Sequence, residues 1–142
     1  MQSDLPYSEE HAAFYPTEYL AGIDLFNAGE FHAAHDAWED RWLGPVGQGE
    51  KLFLQAMIQS AVAFYLIELG RLGAARRMYL AAKEKFARLK ADKFMSLDLV
   101  WFQSEMDKSL SWLLEASDPK TLNHAEVEPF KIRLLEEVME FD

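Results

Sequence analysis

The chain has 142 residues, 50% of them hydrophobic and 13% aromatic, and a formal net charge of −10. That is the length of one domain with enough apolar side chains to build a core, which excludes global disorder. It holds no cysteine, which excludes disulfides, thiolate zinc sites and cysteine nucleophiles and fits a reducing, cytoplasmic setting.

So acidic a chain is repelled by phosphate backbones, so neither nucleic acid nor an anionic membrane is an expected partner. The first residues carry no basic stretch leading into an apolar one, and no secretory signal is expected. The most apolar run, 52–69, is broken by Gln55, Gln59, Ser60 and Glu68, which suits a buried helix rather than a membrane span. Eight of the fourteen Lys and Arg fall within 71–93, beside only Glu84 and Asp92. We read that segment as a solvated basic face neutralised by neighbouring acidic helices, in preference to a docking patch.

Residues 1–15 show no period and read as an N-terminal arm. Pro16 suits the start of a first helix, 16–28, with Tyr19, Leu20, Ile23 and Phe26 on its buried side. Gly29 stops it. A second helix, 31–43, ends at Gly44-Pro45. A third, 50–69, is apolar nearly all round and is expected at the centre of a bundle, with Gly70 as its stop. A fourth, 72–89, carries small residues at Gly73, Ala74, Ala75, Ala81 and Ala82. A fifth, 97–115, is expected to be capped by Ser96, with a stripe at Leu99, Phe102, Met106, Leu110 and Leu113. A last short helix is expected from Pro129, carrying Phe130, Leu134 and Val138. No segment reads as alternating with period two, so no sheet is expected.

The segment from Leu25 to Ala34 aligns with that from Leu66 to Ala75, and Trp38 then matches Tyr79, an offset of 41. Each copy reads as helix, glycine turn, helix, in the manner of tetratricopeptide hairpins. The expected fold is therefore all-α: one compact domain over 1–142, a bundle of five to six helices built from two stacked helical hairpins around a central buried helix. Residues 96–142 are expected to be helical, after a core at 16–90.

Chemistry concentrates on the second helix. His32, His35, Asp36 and Glu39 are spaced i, i+3, i+4, i+7 and fall within about a third of its circumference. Phe31, Ala34, Trp38 and Trp42 occupy the adjoining, core-facing sector. Two imidazoles and two carboxylates beside buried surface suit a divalent transition metal such as zinc, iron or manganese. The structural alternative, which we favour, is that Asp36 and Glu39 pair with basic residues of another helix and that a polar clamp forms in which Gln55 and Gln59 of the third helix answer His35 and Asp36. Asn27, before Gly29, reads as a helix C-cap side chain. His11 and His124 are expected to face solvent. No nucleophile elbow or phosphate loop is present.

The stretch FNAGEFHAAHDAWEDRW at 26–42, followed by LQAMIQSAVAFY and GRLGAARRMYLAAKEKF, resembles a small prokaryotic all-helical family known as a domain of unknown function, number three-hundred-and-nine. Phe26, Asn27, Gly29, Phe31, His35, Glu39, Trp42, Gln59, Gly70, Gly73 and Ala74 fit its pattern, and the likeness spans about 18–90. The chain departs from it at Ala33, where the family commonly has an acid, and at Asp36, where it commonly has Glu. The resemblance implies an all-helical fold and no particular activity.

Three classes of function follow. An interaction or scaffold module would use the hairpins to hold a protein partner or a second copy. A metal-dependent or acid/base enzyme would act through His32, His35, Asp36 and Glu39. A small-ligand binding protein would line a pocket with Trp38, Trp42, Asn27, Gln55 and Gln59.

Overall fold

The apolar stripe of the first expected helix buries Tyr19, Leu20, Ile23 and Phe26, with Gly22 between them. The computed structural model, which describes residues 5–119 and 127–142, accordingly places a helix there. Its elements in chain order are α1 (Glu9–Phe14), α2 (Thr17–Asn27), α3 (Phe31–Trp42), α4 (Gln48–Glu68), α5 (Leu72–Leu89), β1 (Lys93–Phe94), β2 (Leu97–Asp98) and α6 (Leu99–Leu110). A 3-10 turn, Ser111–Leu114, follows. The fold is an all-α bundle, and no helix among the described residues is long and apolar enough to cross a membrane.

The repeat is real at the level of individual hydrogen bonds. Gly29 and Gly70 take positive φ, 79° and 74°. Glu30 N–H donates to the Leu25 carbonyl at 2.9 Å, and Arg71 N–H to the Leu66 carbonyl at 2.9 Å. Each is a left-handed C-terminal stop that turns the chain into the next helix, where glycine meets no Cβ penalty. Ala34 and Ala75 are wholly buried where the hairpins close, and Trp38 and Tyr79 fill equivalent places. α4 lies between α3 and α5 and buries Phe53, Leu54, Met57, Ala61 and Phe64. It is central but not fully enclosed, since Ile58 and Tyr65 are only half-buried.

Elsewhere the expectations need correcting. The arm contains a helical turn, α1, closed by a capping box. Ser8 Oγ accepts from His11 N–H, and His11 Nδ1 accepts from Ser8 N–H at 2.9 Å. That leaves Nε2 as the donor, and it reaches the Leu135 carbonyl at 2.8 Å. His11 is thus buried, not solvent-facing; His124 lies outside the described residues.

The fifth expected helix starts at Leu99, where its stripe begins, rather than at Leu97. Phe94 pairs with Leu97 in a two-residue antiparallel ladder, across a turn in which Met95 and Ser96 have positive φ, 46° and 63°. Ser96 is therefore a turn residue. The cap of α6 is Asp98, whose carboxylate accepts from Trp101 N–H at 3.0 Å. The helix expected from Pro129 is absent: residues 127–142 form neither helix nor strand. They bury Ile132 and Leu134 and leave Val138 exposed, with a bend at Glu136 and Glu137.

Candidate functional site

α3 begins without a side-chain cap and buries Phe31, Ala34 and Trp38. Its polar residues therefore emerge along the edge of that sector. Four contacts fix its register on α4. Arg41 Nε donates to Glu50 Oε2 at 2.7 Å and Nη2 to Oε1 at 3.1 Å. Lys51 Nζ donates to the Trp42 carbonyl at 2.6 Å, and the rings of His32 and Tyr65 stand 5.0 Å apart. The two helices are antiparallel, with Glu50 and Lys51 beside the end of α3 and Tyr65 beside its start.

The expected quartet stays together on α3. His35 Nε2 is 3.0 Å from Glu39 Oε2, and Nδ1 of the same ring is 3.1 Å from Asp36 Oδ1. His32 Nδ1 is 3.5 Å from Asp36 Oδ2. One carboxylate thus stands between two imidazoles, and a second stands behind the inner ring. Donor atoms of His32, His35 and Asp36 lie within 4.8 Å of one another. The side chains of His32 and Asp36 are 59% and 60% exposed and that of His35 is 22% exposed, so the group opens outward from a half-buried base.

The polar clamp does not form. Gln59 Oε1, His35 Nδ1 and Trp42 Nε1 are all buried without a hydrogen-bond partner among the described residues. The Asp36 oxygen near His35 Nδ1 is close but lacks the alignment of a hydrogen bond. None of these three atoms answers another. Gln55 is half-buried.

Two other candidates are elsewhere in role. Trp38 is fully buried, and its Nε1–H donates to the Tyr19 carbonyl at 3.0 Å. It is a core residue. Asn27 does not cap its own helix: its amide grips Ile132, as set out below. Trp42 remains at the boundary, with Lys51 Nζ 4.6 Å above its ring.

The residue that sequence reading missed is Glu50. It is buried and held by Arg41, whose guanidinium is shifted to a still higher pKa, chiefly by that hydrogen bond. The available signal was a charged pair flanking the glycine loop, one residue at the end of α3 and one at the start of α4. The basic segment was also misread in part. Lys83 meets Asp107, but Lys85 and Arg88 meet Glu84 of their own helix.

Residues 19–78 match the family model described as Domain of unknown function (DUF309). The match takes in nearly all of α2, all of α3 and α4, and the start of α5, so the segment that carries every candidate of this site is similar to that domain. No curated protein matches the chain.

Proposed function

We propose that this domain is a binding module whose α3 face takes a divalent transition metal, with His32, His35 and Asp36 as ligands. One observation carries the reading: His35 Nδ1 is buried without a hydrogen-bond partner, 3.1 Å from a carboxylate oxygen. With the ring proton on Nε2, toward Glu39, two electron-rich atoms face one another unless a cation lies between them. Glu39 then plays the part of the carboxylate that orients a ligating histidine from behind and raises its basicity. It is a positioning residue in this reading, not a ligand.

The donor set, two nitrogens and an oxygen, suits zinc, iron(II) or manganese(II). Two donors each about 2.1 Å from one ion lie at most about 4.2 Å apart, so binding draws the three side chains slightly inward. With only three protein ligands, the remaining positions fall to water or to a ligand, and the exposed side of the cluster leaves room for either.

Titration of untagged protein with zinc, followed by calorimetry and melting, tests this. One ion per chain and a melting temperature that rises with zinc concentration are expected. Heat and melting unchanged up to millimolar zinc, manganese and iron(II) would remove the reading.

A second reading, an interaction or scaffold module, is supported by a different observation. The side chains of Arg71, Arg77, Lys90 and Lys93 are exposed, and they form no ion pair among the described residues. Exposed unpaired cations suit an acidic protein partner or the acidic α3 side of a second copy, and a mass measurement in solution tests the latter. The absence of cysteine supports a cytoplasmic setting for either reading, and the net charge of −10 opposes a nucleic acid or membrane partner.

A further inference from the structure

Residues 127–142 form neither helix nor strand, yet their backbone is held along its length by groups far away in the chain. Asn27 takes both backbone groups of Ile132: Nδ2 donates to the carbonyl at 2.8 Å and Oδ1 accepts from the N–H at 2.7 Å. Tyr15 does the same at Met139, its hydroxyl accepting from the N–H at 2.9 Å and donating to the carbonyl at 3.2 Å. His11 Nε2 meets the Leu135 carbonyl, and Ser96 Oγ donates to the Glu137 carbonyl. Backbone joins in. Leu134 N–H donates to the Pro6 carbonyl at 2.8 Å, Leu135 N–H to the Ser96 carbonyl at 2.7 Å, and Glu50 N–H to the Asp142 carbonyl at 2.8 Å.

Side chains of the segment divide as an extended chain requires. Ile132 and Leu134 are buried, while Lys131 and Arg133 are exposed. Phe130 is the anchor: its ring stands 5.5 Å from Phe26, 5.3 Å from Phe102 and 5.6 Å from Trp101. Main-chain recognition by fixed polar side chains, with recesses for alternate apolar residues, is the way an extended peptide is bound. Four different side chains, on α1, at the end of α1, at the end of α2 and in the β-turn, read only backbone atoms. They would read those of any segment with the same apolar spacing.

We infer that this surface is a groove for an extended peptide with apolar residues at alternate positions, that the chain fills it with its own residues 127–142, and that the same segment supplied in trans takes that place. The tethered copy competes at an effective concentration on the order of 1 mM, so the intact chain keeps its groove filled at ordinary protein concentrations. The same segment of a second copy enters when the tethered one leaves. The α3 face plays no part in this inference.

The test uses the full chain with a protease recognition sequence inserted after Pro119. After cleavage, a fluorescein-labelled peptide of residues 127–142 is added and followed by polarisation, alongside helicity by circular dichroism. The cut chain should keep its helicity and bind the peptide saturably, and the uncut chain should bind it at least about tenfold more weakly. Asn27→Ala in the cut chain should weaken binding by about tenfold through two lost backbone hydrogen bonds. A peptide with its apolar residues moved by one position should fail to compete. Loss of helicity on cleavage would show the segment to be an integral part of the fold and would overturn the inference. So would a cut chain that stays helical but takes no peptide at about 1 mM, or takes the shifted peptide equally well.

Discussion

The indole of Trp38 lies against Gly22 so closely that a methyl group there would overlap the ring, and its Nε1–H reaches the Tyr19 carbonyl of the same helix. α2 therefore contributes no side chain at this level, and the indole of α3 packs directly on its backbone at the glycine. The hydrogen bond leaves the buried indole satisfied, as a buried Trp N–H requires.

Gly22→Ala should accordingly cost about 1–3 kcal/mol through overpacking, although alanine is the better helix former. Gly73→Ala is the matched control. A Cβ at Gly73 would meet only the far end of Arg77, at 3.8 Å, so this change should stabilise by about 0.5–1 kcal/mol. Urea unfolding of the two variants decides the point. Equal effects of the same sign would mean that the contact with Trp38 does not govern the crossing.

The hairpins were legible because their signals are local. Gly29 and Gly70 each stand one turn after an apolar stripe, and the stripes of α2 and α4 place the buried faces directly. The C-terminal segment was not, because Phe130, Leu134 and Val138 fit a helical spacing while Phe130, Ile132 and Leu134 fit an extended one. Tertiary partners chose between them: Asn27, 105 residues away, and Tyr15, 124 away from Met139. Asn27 and His11 were misread for the same reason, since an amide near a helix end or a histidine after Ser8 gives no hint of a partner that far along the chain. At the α3 site the residues were legible and their relations were not. Spacing put His35 near Asp36 and Glu39, but only coordinates show that Gln59 fails to answer them.

Arg41 and Glu50 give an asymmetric prediction. Glu50 is 2% exposed and Arg41 31% exposed. Removing the arginine strands a buried carboxylate, whereas removing the glutamate leaves a guanidinium that can turn to water. Arg41→Ala should therefore cost about 3 kcal/mol, near the low end for breaking a buried pair. Glu50→Ala should cost about 1–2 kcal/mol, the scale of a lost hydrogen bond to a charged group. Chemical denaturation at neutral pH measures both, and the reverse order would contradict the burial argument.

Asp107 links α6 to α5. Burial pushes its carboxyl up, but hydrogen bonds from Lys83 and Tyr79 outweigh that and hold its pKa below the ordinary value. A depressed folded pKa adds stability that is complete above the unfolded value, about 3.9, and is lost as pH falls through the folded one. Asp107→Asn should thus be less stable than the parent at pH 6, with the gap narrowing at pH 3. The Tyr79 hydroxyl is shifted the other way, upward, by burial and by the same carboxylate. Its contribution is intact below about pH 10 and is lost only as pH rises through the folded value. Unfolding midpoints of parent and variant at the two acidic pH values check the first claim, and a gap that does not change with pH would refute it.

The metal reading makes its sharpest prediction through two carboxylates that the sequence alone treats alike. Asp36 stands between the imidazoles, and Glu39 stands behind one of them. If Asp36 is a ligand and Glu39 orients His35, Asp36→Asn should abolish measurable zinc binding. Glu39→Gln should keep one ion per chain and weaken it by about 10–100-fold, the usual effect of losing the partner of a ligating histidine. Cobalt(II) provides a readout that melting does not. The visible band of the Glu39→Gln complex should keep the parent's shape once saturated, because the ligand set is unchanged, while Asp36→Asn should give no band. Asp36 is exposed and Glu39 half-buried, so neither change should unfold the domain, and melting without metal should stay within about 0.5 kcal/mol of the parent. Identical losses from the two substitutions would return Glu39 to the ligand set. Full retention of binding by Asp36→Asn would remove the site from α3 altogether.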